Sequence, residues 1–122
     1  MKNLLGDLFK QINCNYFLNF EGVFNMCGII GVIGNDAPKL VVHGLKMLEY
    51  RGYDSSGICG VHNGVLVIKK EIGKIGDIDK KLNLREIPGD IAIGHNRWAT
   101  HWGVTKENSH PHTDCSESIA VV

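Results

Sequence analysis

Four short stretches of this 122-residue chain carry side chains suited to chemistry. Met26-Cys27-Gly28 sets a thiol between a methionine and a small residue. A cysteine followed by glycine and two isoleucines fits a small buried hydrophobe. A chain that begins at Cys27 offers more, because thiol and free α-amino group then share one residue. Such an amino group titrates near ~7.7–8, so part of it is neutral at physiological pH and can take the thiol proton. Methionine is cleaved ahead of small residues, which makes Met26 a natural initiator.

Gly94-His95-Asn96-Arg97-Trp98-Ala99-Thr100-His101 is dense in polar handles. The Arg97 fork matches a carboxylate, Thr100 and His101 offer further hydrogen bonds, and Trp98 suits an apolar wall or lid. An amino-acid carboxylate and a structural ion pair would leave the same trace. Arg51 and Asp54, in Glu49–Gly57, read either as a helix end with its turn or as a charge-assisted pair bracing the nucleophile's loop. His110-Pro111-His112-Thr113-Asp114-Cys115 tempts a zinc assignment, but no second ligand pair has finger-like spacing. Hydrogen-bonded structural histidines are the expectation there.

These residues need elements to hold them. Gly28–Gly34 has the length and apolarity of a strand. Asp36 and Pro38 then mark a helix start, with Asp36 as cap. Val41, Val42, Leu45 and Leu48 form its apolar stripe, and Gly52 is placed to end it in the left-handed conformation. Ser56–Val61 and Val65–Lys70 flank Asn63-Gly64, a strong hairpin signal. A short helix is expected over Ile75–Leu82, a strand over Ile91–Gly94, and a buried strand over Ser118–Val122. Ahead of them, Leu4, Leu5, Leu8, Phe9 and Ile12 share a helical face, and an Asn- and aromatic-rich stretch follows.

Composition excludes several classes. The 13 Lys+Arg balance 13 Asp+Glu, which removes the basic footprint of a nucleic-acid binder. No run approaches the ~20 apolar residues that cross a bilayer. At 43% hydrophobic the chain can build a core. Cys14, Cys27, Cys59 and Cys115 are widely and irregularly spaced. The first residues lack a continuous apolar signal segment, so reduced thiols in a cytoplasmic protein are expected.

The order of the motifs says more than any one of them. Cys-Gly-Ile-Ile-Gly at Cys27, Leu-Glu-Tyr-Arg-Gly-Tyr-Asp-Ser ending at Ser55, His-x-Arg-Trp-Ala-Thr-His from His95, and Asn-x-His-Pro-His from Asn108 resemble the class II glutamine amidotransferase domain. The resemblance runs from Cys27 to Val122. It implies an α+β fold, the N-terminal nucleophile hydrolase four-layer αββα sandwich. Residues 27–122 would be the N-terminal part of that domain, and 1–26 a leader, a mis-assigned start or a propeptide.

By the same resemblance, Cys27 attacks the side-chain amide of L-glutamine with its own α-amino group as base. Arg97 holds the substrate carboxylate, Thr100 and His101 complete the site, and Trp98 gates ammonia passage. Arg51 and Asp54 support the loop. No metal or organic cofactor is implied. A sugar isomerase domain, not among these residues, would use the ammonia to turn fructose 6-phosphate into glucosamine 6-phosphate, in an enzyme expected to be a homo-oligomer.

Departures from the family pattern qualify this expectation. With 26 residues ahead of it, the Cys27 nitrogen is an amide, and loss of base assistance costs ~10²–10⁴ in rate, so the chain as written is expected to be nearly inactive. The family's oxyanion Asn-Gly and a later acidic residue fall beyond Val122. Asn96 replaces the family's usual Thr, Ser109 its Ala and Trp102 its Gly. A left-handed backbone at Trp102 would cost ~1–2 kcal/mol. A non-catalytic remnant that binds a partner or glutamine is therefore the alternative, and the last strand is expected to expose an aggregating edge.

Overall fold

A computed structural model describes residues 26–122. The helix expected near Leu4–Ile12 lies outside the described residues. In chain order the elements are β1 (Gly28–Ile33), α1 (Ala37–Met47), β2 (Ser55–His62), β3 (Val65–Ile72), α2 (Ile75–Leu82), β4 (Ile91–Arg97), β5 (His112–Thr113) and β6 (Ala120–Val121). Short 3₁₀ turns at Glu49–Arg51 and Leu84–Glu86 follow α1 and α2. The first four strands make one antiparallel sheet in the order β1-β4-β2-β3, and β5 pairs with β6 separately.

Local chemistry accounts for most of these elements. Asn63 and Gly64 take φ of 50° and 75°, the paired left-handed turn that lets β2 run back into β3. Pro38 sits in the first turn of α1, where its missing N–H is no loss. Asp36 occupies the cap position but its side chain does not cap. It is itself left-handed, at φ 59°, and its carboxylate instead accepts from Lys39 Nζ at 2.6 Å.

The core lies between the sheet and the helices. Val41, Val42 and Leu45 of α1 pack with Ile58, Ala92, Ile75, Ile78 and Leu84, all buried. Each such side chain contributes ~1.5–3 kcal/mol by leaving water. The other face of the sheet is partly open. There the β1–β4 register sets Ile33 opposite Ile91, and Ile33 is 84% exposed.

Two more expectations are corrected. Gly52 does not close α1 in the left-handed conformation, since the helix stops at Met47 and Gly52 is extended at φ −169°. Its glycine answers to space: an added Cβ would lie 2.7 Å from the Arg97 carbonyl carbon and 2.9 Å from the Asn96 oxygen. The last strand is not buried either, because among the described residues β6 pairs with β5 alone and leaves Ile119 and Val121 exposed.

Candidate active site

Strand pairing brings the nucleophile to the arginine. Gly28 at the start of β1 lies opposite Asn96 near the end of β4, so Cys27 emerges beside Arg97 and Trp98. The Trp98 N–H points at Cys27 Sγ across 3.4 Å, and the sulfur is 3.8 Å from the Trp98 carbonyl oxygen. Cys27, Cys59 and Cys115 are all free thiols. Cys27 is half-buried and opens into a pocket of about 380 Å³ that Arg97, Trp98, Thr100 and His101 also line.

The turn after β4 is pinned from below. Asp54 Oδ2 accepts from the Ala99 N–H, Asp54 Oδ1 accepts from Ser55 Oγ at 3.0 Å, and the Asp54 N–H donates to the Arg97 carbonyl at 3.2 Å. The Arg51–Asp54 charge pair, one of the two readings of this stretch, is not among the ion pairs of the described residues. These neutral donors occupy the carboxylate instead. Arg51 lies in the 3₁₀ turn and does not line the pocket.

Arg97 is buried, at 7% exposure. Its Nη2 donates to the His101 carbonyl at 2.7 Å and its Nη1 to the Gly103 carbonyl at 3.3 Å. No carboxylate pairs with it among the described residues. Behind it, buried Asn96 accepts from Ser56 Oγ at 2.7 Å and donates to the Leu45 carbonyl at 2.6 Å, tying β2, β4 and the end of α1 together. An asparagine therefore fits here with both ends of its amide used.

Trp98 stands edge-on to Tyr53, ring centroids 5.3 Å apart at 82°. Thr100 and His101 are exposed, and Thr100 Oγ1 lies 3.1 Å from His101 Nδ1. Trp102 also lines the pocket and does take a left-handed backbone, at φ 65°.

His110 and His112, read from sequence as structural, line the pocket as well, together with Asn108. The signal for them was present in the Asn-x-His-Pro-His motif, but its spacing raised only the metal question. Their rings continue a stack into the sheet: His95 to His110 at 4.2 Å and His110 to His112 at 4.5 Å. Lys70 Nζ donates to the Ser109 carbonyl at 2.7 Å and the Pro111 carbonyl at 3.0 Å, which fixes this segment. The Nδ1 atoms of His95 and His110 are buried without a hydrogen bond, against expectation.

Burial first, then His110 and Arg97, push His95 down to about 4. His110 and His112 are lowered too, mainly by burial. Protonating this stack would set like charges together beside a guanidinium. Among the described residues no group of three or more His, Cys, Asp or Glu is placed to hold a metal ion.

Relatives give this geometry a family. No protein-family model matches the chain. Over 98 residues it is 57% identical to the glutamine–fructose-6-phosphate aminotransferase of Pyrococcus horikoshii, covering 80% of this chain and 16% of that enzyme. The enzyme of the same name from Streptococcus pyogenes is 46% identical over 98 residues, with the same coverage. The chain belongs to the class II glutamine amidotransferases. The Bacillus subtilis glutamine phosphoribosylpyrophosphate amidotransferase, solved with ADP and GMP, shares the amidotransferase fold at a TM-score of 0.61 and 32% identity, over 69% of this chain and 18% of that one. A second solved structure, an allosteric regulatory enzyme of purine biosynthesis, gives 0.63 and 33% over the same shares. The α+β amidotransferase fold expected from the motifs is the one observed. The chain spans about 16% of the length of the aminotransferases it matches. Among the described residues no helix is long and apolar enough to cross a membrane.

Proposed function

We propose that this amidotransferase region hydrolyses the side-chain amide of L-glutamine to glutamate and ammonia, with Cys27 as nucleophile. One observation carries the reading. Among the described residues a buried guanidinium without an acidic partner shares a pocket with a thiol, and burying such a charge is costly unless an anion meets it. An amino-acid carboxylate on Arg97 presents the far end of the same molecule to Cys27. Two Arg97 nitrogens hold the loop carbonyls, and its remaining N–H groups face the ligand.

The chemistry runs in two halves. A free Cys27 α-amino group takes the thiol proton, and Sγ bonds to the amide carbon. The tetrahedral adduct collapses to a γ-glutamyl thioester as the proton passes to nitrogen and ammonia departs. Water then adds to the thioester carbon, the C–S bond breaks, and glutamate and the thiol are restored. Thr100 and His101 face the amino-acid end, and Trp98 forms a wall between nucleophile and bulk water. Asp54 holds the turn, and Arg51 supports the approach to the strand.

This reading requires the amino group to be free, so residues 1–26 are proposed to be a leader, a propeptide or sequence ahead of the true start. By likeness to its named relatives, the ammonia is proposed to serve a sugar isomerase domain that converts fructose 6-phosphate to glucosamine 6-phosphate, in a cytoplasmic homo-oligomer. The test is ammonia release from glutamine by protein shown by mass spectrometry to begin at Cys27 and extended past Val122 through the family's oxyanion Asn-Gly. Loss of release in Cys27→Ala supports the proposal; no release with the amino group demonstrably free overturns it. The strained backbone at Trp102 favours a second reading, binding without turnover, which predicts glutamate binding in the absence of ammonia release.

A further inference from the structure

Trp102 is held in place at a cost its own packing does not explain. Its φ of 65° lies where bulky L residues are seldom found. The backbone on either side is gripped: Arg97 donates to the His101 and Gly103 carbonyls at 2.7 and 3.3 Å, and Asn108 Nδ2 donates to the Gly103 carbonyl at 3.1 Å. Three donors thus over-determine the turn. Its indole, meanwhile, is 86% exposed and gains almost nothing from the fold. Yet Trp102 lines the same pocket as Cys27 and Trp98. Strain that neighbouring bonds maintain at a pocket mouth points to contacts made with a ligand.

We infer that Trp102 is an outer subsite of this pocket, where its indole takes up a planar or apolar group on a ligand whose electrophilic end lies at Cys27. The ligand class is a carbonyl or amide electrophile with an aromatic substituent, wider than glutamine itself. An indole face suits such a group, because stacked and edge-on aromatic contacts gain more than their area alone.

The experiment compares two reagents with one reactive group, N-ethylmaleimide and N-benzylmaleimide, on the full chain. Labelling rates at Cys27 and at exposed Cys115 are read separately by peptide mass spectrometry. The benzyl-to-ethyl rate ratio at Cys27 is expected to exceed that at Cys115 by about three- to tenfold. Trp102→Ala and Trp102→Gly bring it down to the Cys115 value, and Trp102→Phe keeps most of the preference. Glycine accepts this φ freely, so that variant keeps the turn. A ratio unchanged or raised in Trp102→Ala, or a Cys27 that neither reagent labels, overturns the inference. The readout is thiol reactivity rather than turnover, so failure of the glutamine reading shows in the ammonia assay alone.

Discussion

The backbone N–H of Trp98 lies 3.4 Å from the sulfur of Cys27, although the two residues are 71 apart in the chain. The contact follows from the antiparallel β1–β4 register, which delivers the first residue of one strand to the last residues of the other. It directs an N–H dipole at the sulfur and fixes that atom beside the turn that carries Arg97.

Freeing the Cys27 amino group should raise glutamine hydrolysis by ~10²–10⁴-fold over the chain with residues 1–26 attached. Ammonia release by the two proteins, measured side by side, checks it. Equal rates would remove the amino group from the mechanism.

Gly52→Ala should destabilise the fold by more than ~2 kcal/mol, because the new methyl meets backbone atoms of Arg97 and Asn96 that cannot rotate away. Denaturant midpoints give the value. A loss below ~0.5 kcal/mol would mean that the loop shifts freely.

Asp54→Ala leaves the Ala99 N–H and Ser55 hydroxyl without their acceptor. Each orphaned partner that stays dry costs about 1–3 kcal/mol. The turn carrying Arg97 and Thr100 should loosen, so KM for glutamine rises more than kcat falls. Asp54→Asn keeps an acceptor oxygen and should restore part of the affinity.

Stability should fall on acidification. His95 is held at about 4 in the folded protein against an ordinary 6.5, so the unfolded chain binds the proton first. The stability is fully present above pH ~6.5 and is lost as pH falls toward 4, by about 2 kcal/mol at pH 5. Urea unfolding at pH 7.5 and pH 5 reads the difference. His95→Leu should flatten it.

Asn96→Leu removes both ends of the Ser56–Asn96–Leu45 bridge. It should cost about 2–4 kcal/mol, two unmade buried hydrogen bonds. Asn96→Thr, shorter by an atom, reaches one partner and should cost about half as much.

What was legible in the sequence is what short-range chemistry controls. Asn63-Gly64 announces its hairpin because both residues accept positive φ. α2 appears at Ile75–Leu82 as its pattern indicates. Cys27, Arg97, Trp98, Thr100 and His101 could be named from ordered motifs, and they share one pocket. The misses depend on residues far away in the chain. Gly52 reads as a helix terminator until Arg97, 45 positions on, is seen against it. Asp54 looks like a partner for Arg51 until the turn at Ala99 supplies a backbone donor. The histidines look metal-like or structural until His95 brings the sheet beneath them.

The chemistry of the pocket wall has one last consequence. Among the described residues Arg97 is the one permanent cation that lines it, and neither aspartate nor glutamate joins the lining. With the stacked imidazoles uncharged at neutral pH, the cavity acts as a polarity filter. A zwitterion enters acid end first, and a bare amine finds no counter-charge to greet it.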